Sequence, residues 1–154
     1  MKGRIGPTLT AQERAEQEAR EKKELEDRIR QNEEKRRDRA LLTRYPDRAV
    51  HDKERADALA QVGAVRQAAV VRVEELLRQR KVVGDEMEFY KKDPSKAPPA
   101  LRRQVEEVAQ SLAVQGRFIA DQDGEVKRVN ARFDEELVRL KQLWAMQGTA
   151  PKTR

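Results

Sequence analysis

His51 is the single histidine of the chain, and the carboxylates near it in the sequence could join it in binding a metal ion. The 154 residues include one histidine and no cysteine, so the chain cannot build a multi-histidine metal site or a thiol-based catalytic site from its own residues. Asp47, Asp52 and Glu54 offer carboxylates, but acidic residues near a helix start also complement the helix dipole. We therefore expect a solvated histidine and no bound metal.

Three alternating acids, Asp121, Asp123 and Glu125, are similar to the start of a calcium-binding loop. A loop of the EF-hand type that began at Asp121 would need glycine at position six and glutamate at position twelve, where this chain has Val126 and Arg132. We therefore interpret the acids as a solvated helix face. No glycine-rich phosphate loop or nucleophile elbow appears either, and the sequence predicts no enzyme, no cofactor and no small-molecule substrate.

The densest basic cluster consists of Lys35, Arg36, Arg37 and Arg39. Such a cluster can contact phosphates or an anionic lipid surface. Acidic residues flank and interrupt it, however, and no aromatic residue is near to stack on a base. We interpret it as a solvated helix face and keep a nucleic-acid or anionic-surface site as the alternative.

The composition favours a fold with a narrow core. Charged residues make up 40% of the chain, apolar residues 37% and aromatic residues 4%, and the net charge of +6 is spread along the chain. A pair of helices needs only one apolar stripe each, whereas a sandwich or a wound sheet needs more apolar residues. No window has the roughly 18 apolar residues of a membrane span, and the first ten residues lack the apolar region of a secretory signal. As written, the chain is expected to be soluble and not exported.

Two stretches carry apolar residues at alternating steps of three and four, which is the spacing of a coiled-coil seam. The seam residues are Leu59, Val62, Val73, Leu76, Met87 and Tyr90 in the first stretch, and Leu101, Val105, Val108, Leu112, Ile119, Val126, Val129, Phe133, Leu140 and Leu143 in the second, with Trp144 beside them.

Prolines divide the chain into helical segments. Pro46 ends one helix, and the cluster of prolines between 94 and 99 ends the next. The predicted fold is all-α: a long antiparallel two-helix coiled-coil hairpin preceded by a charged N-terminal helical arm. The predicted divisions are a disordered linker at 1–9, the arm at 10–45, the hairpin at 46–146 with helices of about 47–91 and 99–146 and a loop at 92–98, and a disordered tail at 147–154.

The short loop also predicts the register of the hairpin. Residue numbers of facing positions should add to about 190, because the chain reverses within the loop. Tyr90 should then lie near Leu101, and Trp144 and Leu143 should meet Tyr45 at the open end.

Polar residues and glycines interrupt the seam. The polar interruptions are Arg66, Arg80, Gln115, Gln122 and Glu136. Glycines at 63, 84, 116 and 124 each cost about 1 kcal/mol relative to alanine in a helix interior. They are either points of close packing or bending, or tolerated weaknesses in a marginally stable ribbon.

Four runs of residues resemble the helical C-terminal region of bacterial envelope proteins that carry a domain of unknown function, the DUF-4124 type. The runs are 36–47, 86–90, 117–120 and 129–134. The resemblance implies that an export signal and a small N-terminal domain would precede such a region, that the location is the periplasm or envelope, and that no catalytic residue is carried over. The chain then corresponds either to a truncated reading frame or to a cytoplasmic relative.

These observations predict a non-enzymatic structural or protein-interaction module. The expected partner is another protein or a second copy of the chain, because a two-helix ribbon leaves the flanks at Phe118, Leu137 and Trp144 partly exposed.

Overall fold

A computed structural model describes residues 9–148, and these residues are all-α with no strand. The three helices are α1 (Ala11–Arg44), α2 (Arg48–Met87) and α3 (Pro99–Gly148), with short 3₁₀ turns at Glu88–Tyr90 and Pro94–Lys96. The predicted all-α helical hairpin is confirmed. The predicted disorder at 1–9 and 147–154 lies outside the described residues, except for Leu9 and for the last two residues of α3.

Helix α1 begins where the sequence signals a capping box. Thr10 Oγ1 accepts a hydrogen bond from the Glu13 N–H at 3.0 Å, and the Thr10 N–H donates to Glu13 Oε1 at 3.2 Å. The helix contains no fully buried residue. It therefore depends largely on local interactions such as the Asp27–Arg30 ion pair and the hydrogen bond from Gln17 to Glu21.

The chain forms two compact units, and the first contains α1 together with the C-terminal end of α3 from Leu140. Within this unit, Tyr45 follows the last residue of α1, before the helix-breaking Pro46, and is fully buried. The Trp144 indole N–H donates a hydrogen bond to the Tyr45 carbonyl oxygen at 3.0 Å. Trp144 therefore meets Tyr45 as the hairpin register predicted, and Leu140 and Leu143 are buried in the same unit.

The second unit, Arg48–Arg139, contains the body of the hairpin. Side chains of α2 bond to α3 in antiparallel order: His51 to Glu136, Arg55 to Asn130, and Arg66 to Asp123. The residue numbers of these pairs add to between 185 and 189, close to the predicted 190. This register sets which residues of α2 and α3 face each other along the ribbon.

The connection between α2 and α3 has a small core of its own. Val83, Ala97 and Leu101 are buried together, with Met87 and Tyr90 packed against them. The α-helical part of α2 ends at Met87, earlier than the predicted 91, and the chain continues as a 3₁₀ turn. Pro99 occupies the first position of α3, where its missing N–H has no helical partner to lose.

The predicted seam residues are shielded from solvent, with one exception. All of them except Val105 are buried or half-buried, and Leu76, Phe133 and Leu140 are the most completely buried. Val105 is 36% exposed. The hairpin register places it opposite the part of α2 that contains exposed Arg80 and Gly84.

Two adjacent valines of α2 provide a matched test of this packing. Val83 is 8% exposed and Val82 is 58% exposed. Val83→Ala should lower the free energy of unfolding by about 2 kcal/mol, because it removes buried methyl groups and leaves a cavity. Val82→Ala should change it by less than about 0.5 kcal/mol. Urea unfolding followed by circular dichroism measures both, and equal effects would contradict this packing.

Candidate functional site

A part-buried polar pair lies between α2 and α3 near the open end of the second unit. His51 is fully buried, and its Nε2 lies 3.2 Å from Glu136 Oε1. The edge of the His51 ring faces the Phe133 ring with centroids 5.1 Å apart. The prediction of a solvated histidine is therefore wrong: the seam turns His51 inward, and Glu136, one of the seam interruptions, supplies its partner.

Arg55 forms the neighbouring polar contact, one turn along α2. Its guanidinium donates to Asn130 Oδ1 from Nε at 3.2 Å and from Nη2 at 2.8 Å, and Nη2 also lies 2.8 Å from Asp134 Oδ1. Because the planar guanidinium binds two residues of α3 that are one helical turn apart, sliding one helix past the other would break several bonds at once. This cluster therefore sets the register of the hairpin.

Two of the three alternating acids of α3, Asp123 and Glu125, form salt bridges on the helix surface. Asp123 Oδ1 lies 2.7 Å from Arg66 Nε, so a second seam interruption has a partner on the facing helix. Glu125 pairs with Arg128 one turn ahead at 2.9 Å. Among residues 9–148, no three histidines or acids come together in a group able to hold a metal ion.

The pKa of Lys53 is shifted upward by a local contact. Its ammonium donates to Asp57 at 2.8 Å, and this hydrogen bond, together with the negative charge of Asp57, raises the pKa of Lys53. Both side chains are exposed, so the shift reflects an ion pair between neighbouring turns of α2.

An open groove of about 690 Å³ runs along one face of the ribbon near the loop. Arg72, Gln79 and Val82 line it from α2, and Gln104 and Ser111 line it from α3. The lining combines apolar and charged side chains and is open to solvent, which suits a shallow protein contact better than an enclosed small-molecule site.

Phe89 lies in the 3₁₀ turn at the tip of the hairpin and is 88% exposed. Other large apolar side chains exposed along the second unit include Val65, Val71, Leu77, Val82, Val114, Phe118 and Val138. Exposed aromatic residues on loops are frequent anchors in protein interfaces.

The predicted interaction residues Lys35, Arg36, Arg37 and Arg39 are all exposed on α1. Their helical spacing distributes them around the helix, because consecutive residues are about 100° apart. We call these four exposed cations the basic collar. In the described part of the chain, no helix is both long and apolar enough to cross a bilayer.

Sequence reasoning missed the roles of His51 and Phe89. Pairing His51 with Glu136 was possible from the register, since their numbers add to 187 and Glu136 was already identified as a polar seam residue. Phe89 falls between the seam positions Met87 and Tyr90, so its exposure also follows from the seam period.

No protein-family model, curated protein or solved structure matches this chain. The resemblance to bacterial envelope proteins therefore stays a prediction, and the function must be argued from the surfaces of the chain itself.

Adjacent glutamates on α3 test the part-buried polar pair. Glu136→Ala should lower the free energy of unfolding by about 1 to 3 kcal/mol, because it removes the carboxylate that bonds to buried His51. Glu135→Ala, at an exposed position beside it, should have an effect within about 0.5 kcal/mol. Urea unfolding provides both values, and a Glu136→Ala variant as stable as Glu135→Ala would contradict the assigned role.

Proposed function

We propose that this chain is a non-enzymatic structural and protein-interaction module, in which the hairpin is a stiff spacer that presents docking surfaces to other proteins. Following the resemblance to envelope proteins, we place this role in the bacterial envelope. The proposal of a non-enzymatic role rests on the sequence, which offers one histidine, no cysteine and no catalytic motif.

The observation that carries the proposal is the set of large apolar side chains that the hairpin leaves exposed. The contact between α2 and α3 uses a single stripe on each helix, and this leaves Phe89 at the tip and Val82 and Phe118 on the sides open to solvent. Large apolar side chains that stay exposed are candidate anchors for a protein partner.

The length of the ribbon supports the role of a spacer. Helix α2 has 40 residues, which correspond to about 60 Å at a rise of 1.5 Å per residue. The antiparallel partner helix and the polar contacts at His51, Arg55 and Arg66 hold it in one register, so the tip and the open end are kept a defined distance apart.

Photo-crosslinking in a bacterial cell tests the proposal. A photoreactive phenylalanine analogue at Phe89 should capture specific protein partners, because this side chain is already exposed and aromatic. The same analogue at Gln17, exposed on α1, is the matched control. Bands that appear at Phe89 and disappear when Lys91 and Lys92 beside it are changed to glutamate support the proposal. Identical patterns at the two positions would contradict it.

The alternative function is binding to a nucleic acid or an anionic lipid surface through the basic collar of α1. The observation in its favour is that all four cations are exposed. Affinity for DNA or for anionic vesicles should then fall steeply with salt, and Arg36→Gln, Arg37→Gln and Arg39→Gln together should reduce the salt slope by about 2 to 3. Filter binding and vesicle sedimentation measure this, and affinities unchanged by the triple substitution would dispose of the alternative.

A further inference from the structure

The hairpin ribbon has two faces, which the heptad spacing separates. The front face contains the groove, whose lining places Arg72, Gln79 and Glu86 of α2 beside Gln104 and Ser111 of α3. The opposite flank of each helix forms the back face. Its residues, at steps of seven, are Gly63, Val70, Leu77 and Gly84 on α2 and Arg102, Ala109, Gly116 and Asp123 on α3.

Small or apolar residues form the middle of the back face, and Glu74 lies at its α2 edge. Val70 and Leu77 of α2 lie beside Ala109 and Gly116 of α3, with no charged side chain among them, whereas the middle of the front face contains Arg72. Leu77 is 40% exposed. The back face is thus the side of the ribbon where desolvation by a partner would be least costly.

Three glycines of the back face have no function within a single hairpin. A Cβ atom at Gly63, Gly84 or Gly116 would meet nothing within 4 Å. None of them has a positive φ angle, so their backbone conformation is open to any residue. Glycine weakens a helix. On an exposed flank, however, its missing side chain allows another helix to approach closely.

We propose that the occupant of the back face is a second copy of this chain, packed in the antiparallel direction so that two hairpins form a four-helix bundle. In this arrangement α2 packs on the partner's α2 and α3 on the partner's α3. Val70 faces the partner's Leu77, Gly63 faces the partner's Gly84, and Gly116 faces the partner's Ala109. One two-fold axis satisfies all of these pairings, because the α2 pairs and the α3 pairs have their midpoints at the same height along the ribbon.

Charge selects the antiparallel arrangement over the parallel one. With antiparallel packing, Arg102 lies opposite the partner's Asp123, so opposite charges meet at both ends of the apolar stretch. Asp123 binds Arg66 of its own chain through Oδ1, and in this arrangement its second carboxylate oxygen would accept from the partner's Arg102. Parallel packing would instead place the two copies of Arg102 in one layer and the two copies of Asp123 in another, which is unfavourable.

The back face is large enough for a stable dimer. The stretch from Gly63 to Gly84 is about 32 Å long and two packed helices are about 20 Å wide, so it offers roughly 600 Å² per copy. One more turn at each end brings the area to the approximately 800 Å² per partner that a standard interface buries.

Single cysteines test the arrangement cleanly, because the natural chain has none. Ala113 lies on the back edge of α3 beside the proposed axis, and Val114 lies on the front edge at the same height. Under mild oxidation Ala113→Cys should form a disulfide-linked dimer at least about tenfold faster than Val114→Cys, because the bundle holds the two sulfurs close together. Equal rates would overturn the antiparallel back-to-back packing.

Substitution of Gly116 distinguishes an effect on dimerisation from an effect on the stability of the hairpin. Gly116→Gln should strengthen the helix but fill the space that the partner's Ala109 occupies, so the dimer dissociation constant measured by light scattering should rise at least about tenfold. Val114→Gln is the matched control on the front face and should leave the dissociation constant unchanged. A chain that is monomeric at every concentration, or a Gly116→Gln variant that dimerises as well as the natural chain, would overturn the inference.

The proposed dimer rests on the proposed interaction role, but an experiment can disprove the dimer without disproving that role. The photo-crosslinking experiment uses Phe89 at the tip, which lies outside the back face, and so tests for other protein partners. A monomeric chain that still captures partners at Phe89 would overturn only the dimer.

Discussion

The packing of α2 against α3 along one narrow apolar stripe is the interaction on which the second unit depends. With 40% charged residues, the chain has few side chains for a core, and two antiparallel helices use them with the smallest possible interior. The buried residues Leu76, Val108, Val129 and Phe133 belong to this stripe. Because each helix has only one apolar stripe, a substitution of any of these residues weakens the contact between the helices. Both faces of the ribbon remain available for other contacts.

The polar interruptions of the stripe give the hairpin its register. An apolar stripe alone tolerates a slip of one heptad, because the same pattern repeats every seven residues. The bonds of His51 to Glu136 and of Arg55 to Asn130 do not repeat in this way, so a slip would leave buried polar groups without these partners. Such contacts contribute little net stability but disfavour competing arrangements. They explain why a chain with an oligomer-like seam folds on itself in one alignment.

The effect of the glycines on a single hairpin differs from their effect in an assembly of two hairpins. In a single hairpin, glycine at positions 63, 84 and 116 only weakens the helices, since nothing approaches them. These glycines share one flank, so the two faces of the ribbon differ: the front has a groove lined by apolar and charged side chains, and the back has small or apolar residues at its middle. Functional contacts of a protein with so small a core therefore belong to its outer surfaces, where most of its side chains lie.

Much of the fold could be predicted from the sequence, because the signals that define it are local. The Thr10 capping box, the breaks at Pro46 and between Pro94 and Pro99, and the seam period all act within a few residues of the chain, and loop length alone implies an antiparallel hairpin. The tertiary structure decided what depends on the rotation of each helix about its axis and on residues far apart in sequence. It buried His51 against Glu136, exposed Phe89 and Val105, and paired Arg66 with Asp123. Charge and hydropathy along the chain cannot specify these outcomes, because a side chain is buried or paired only when the facing helix brings a suitable neighbour to it.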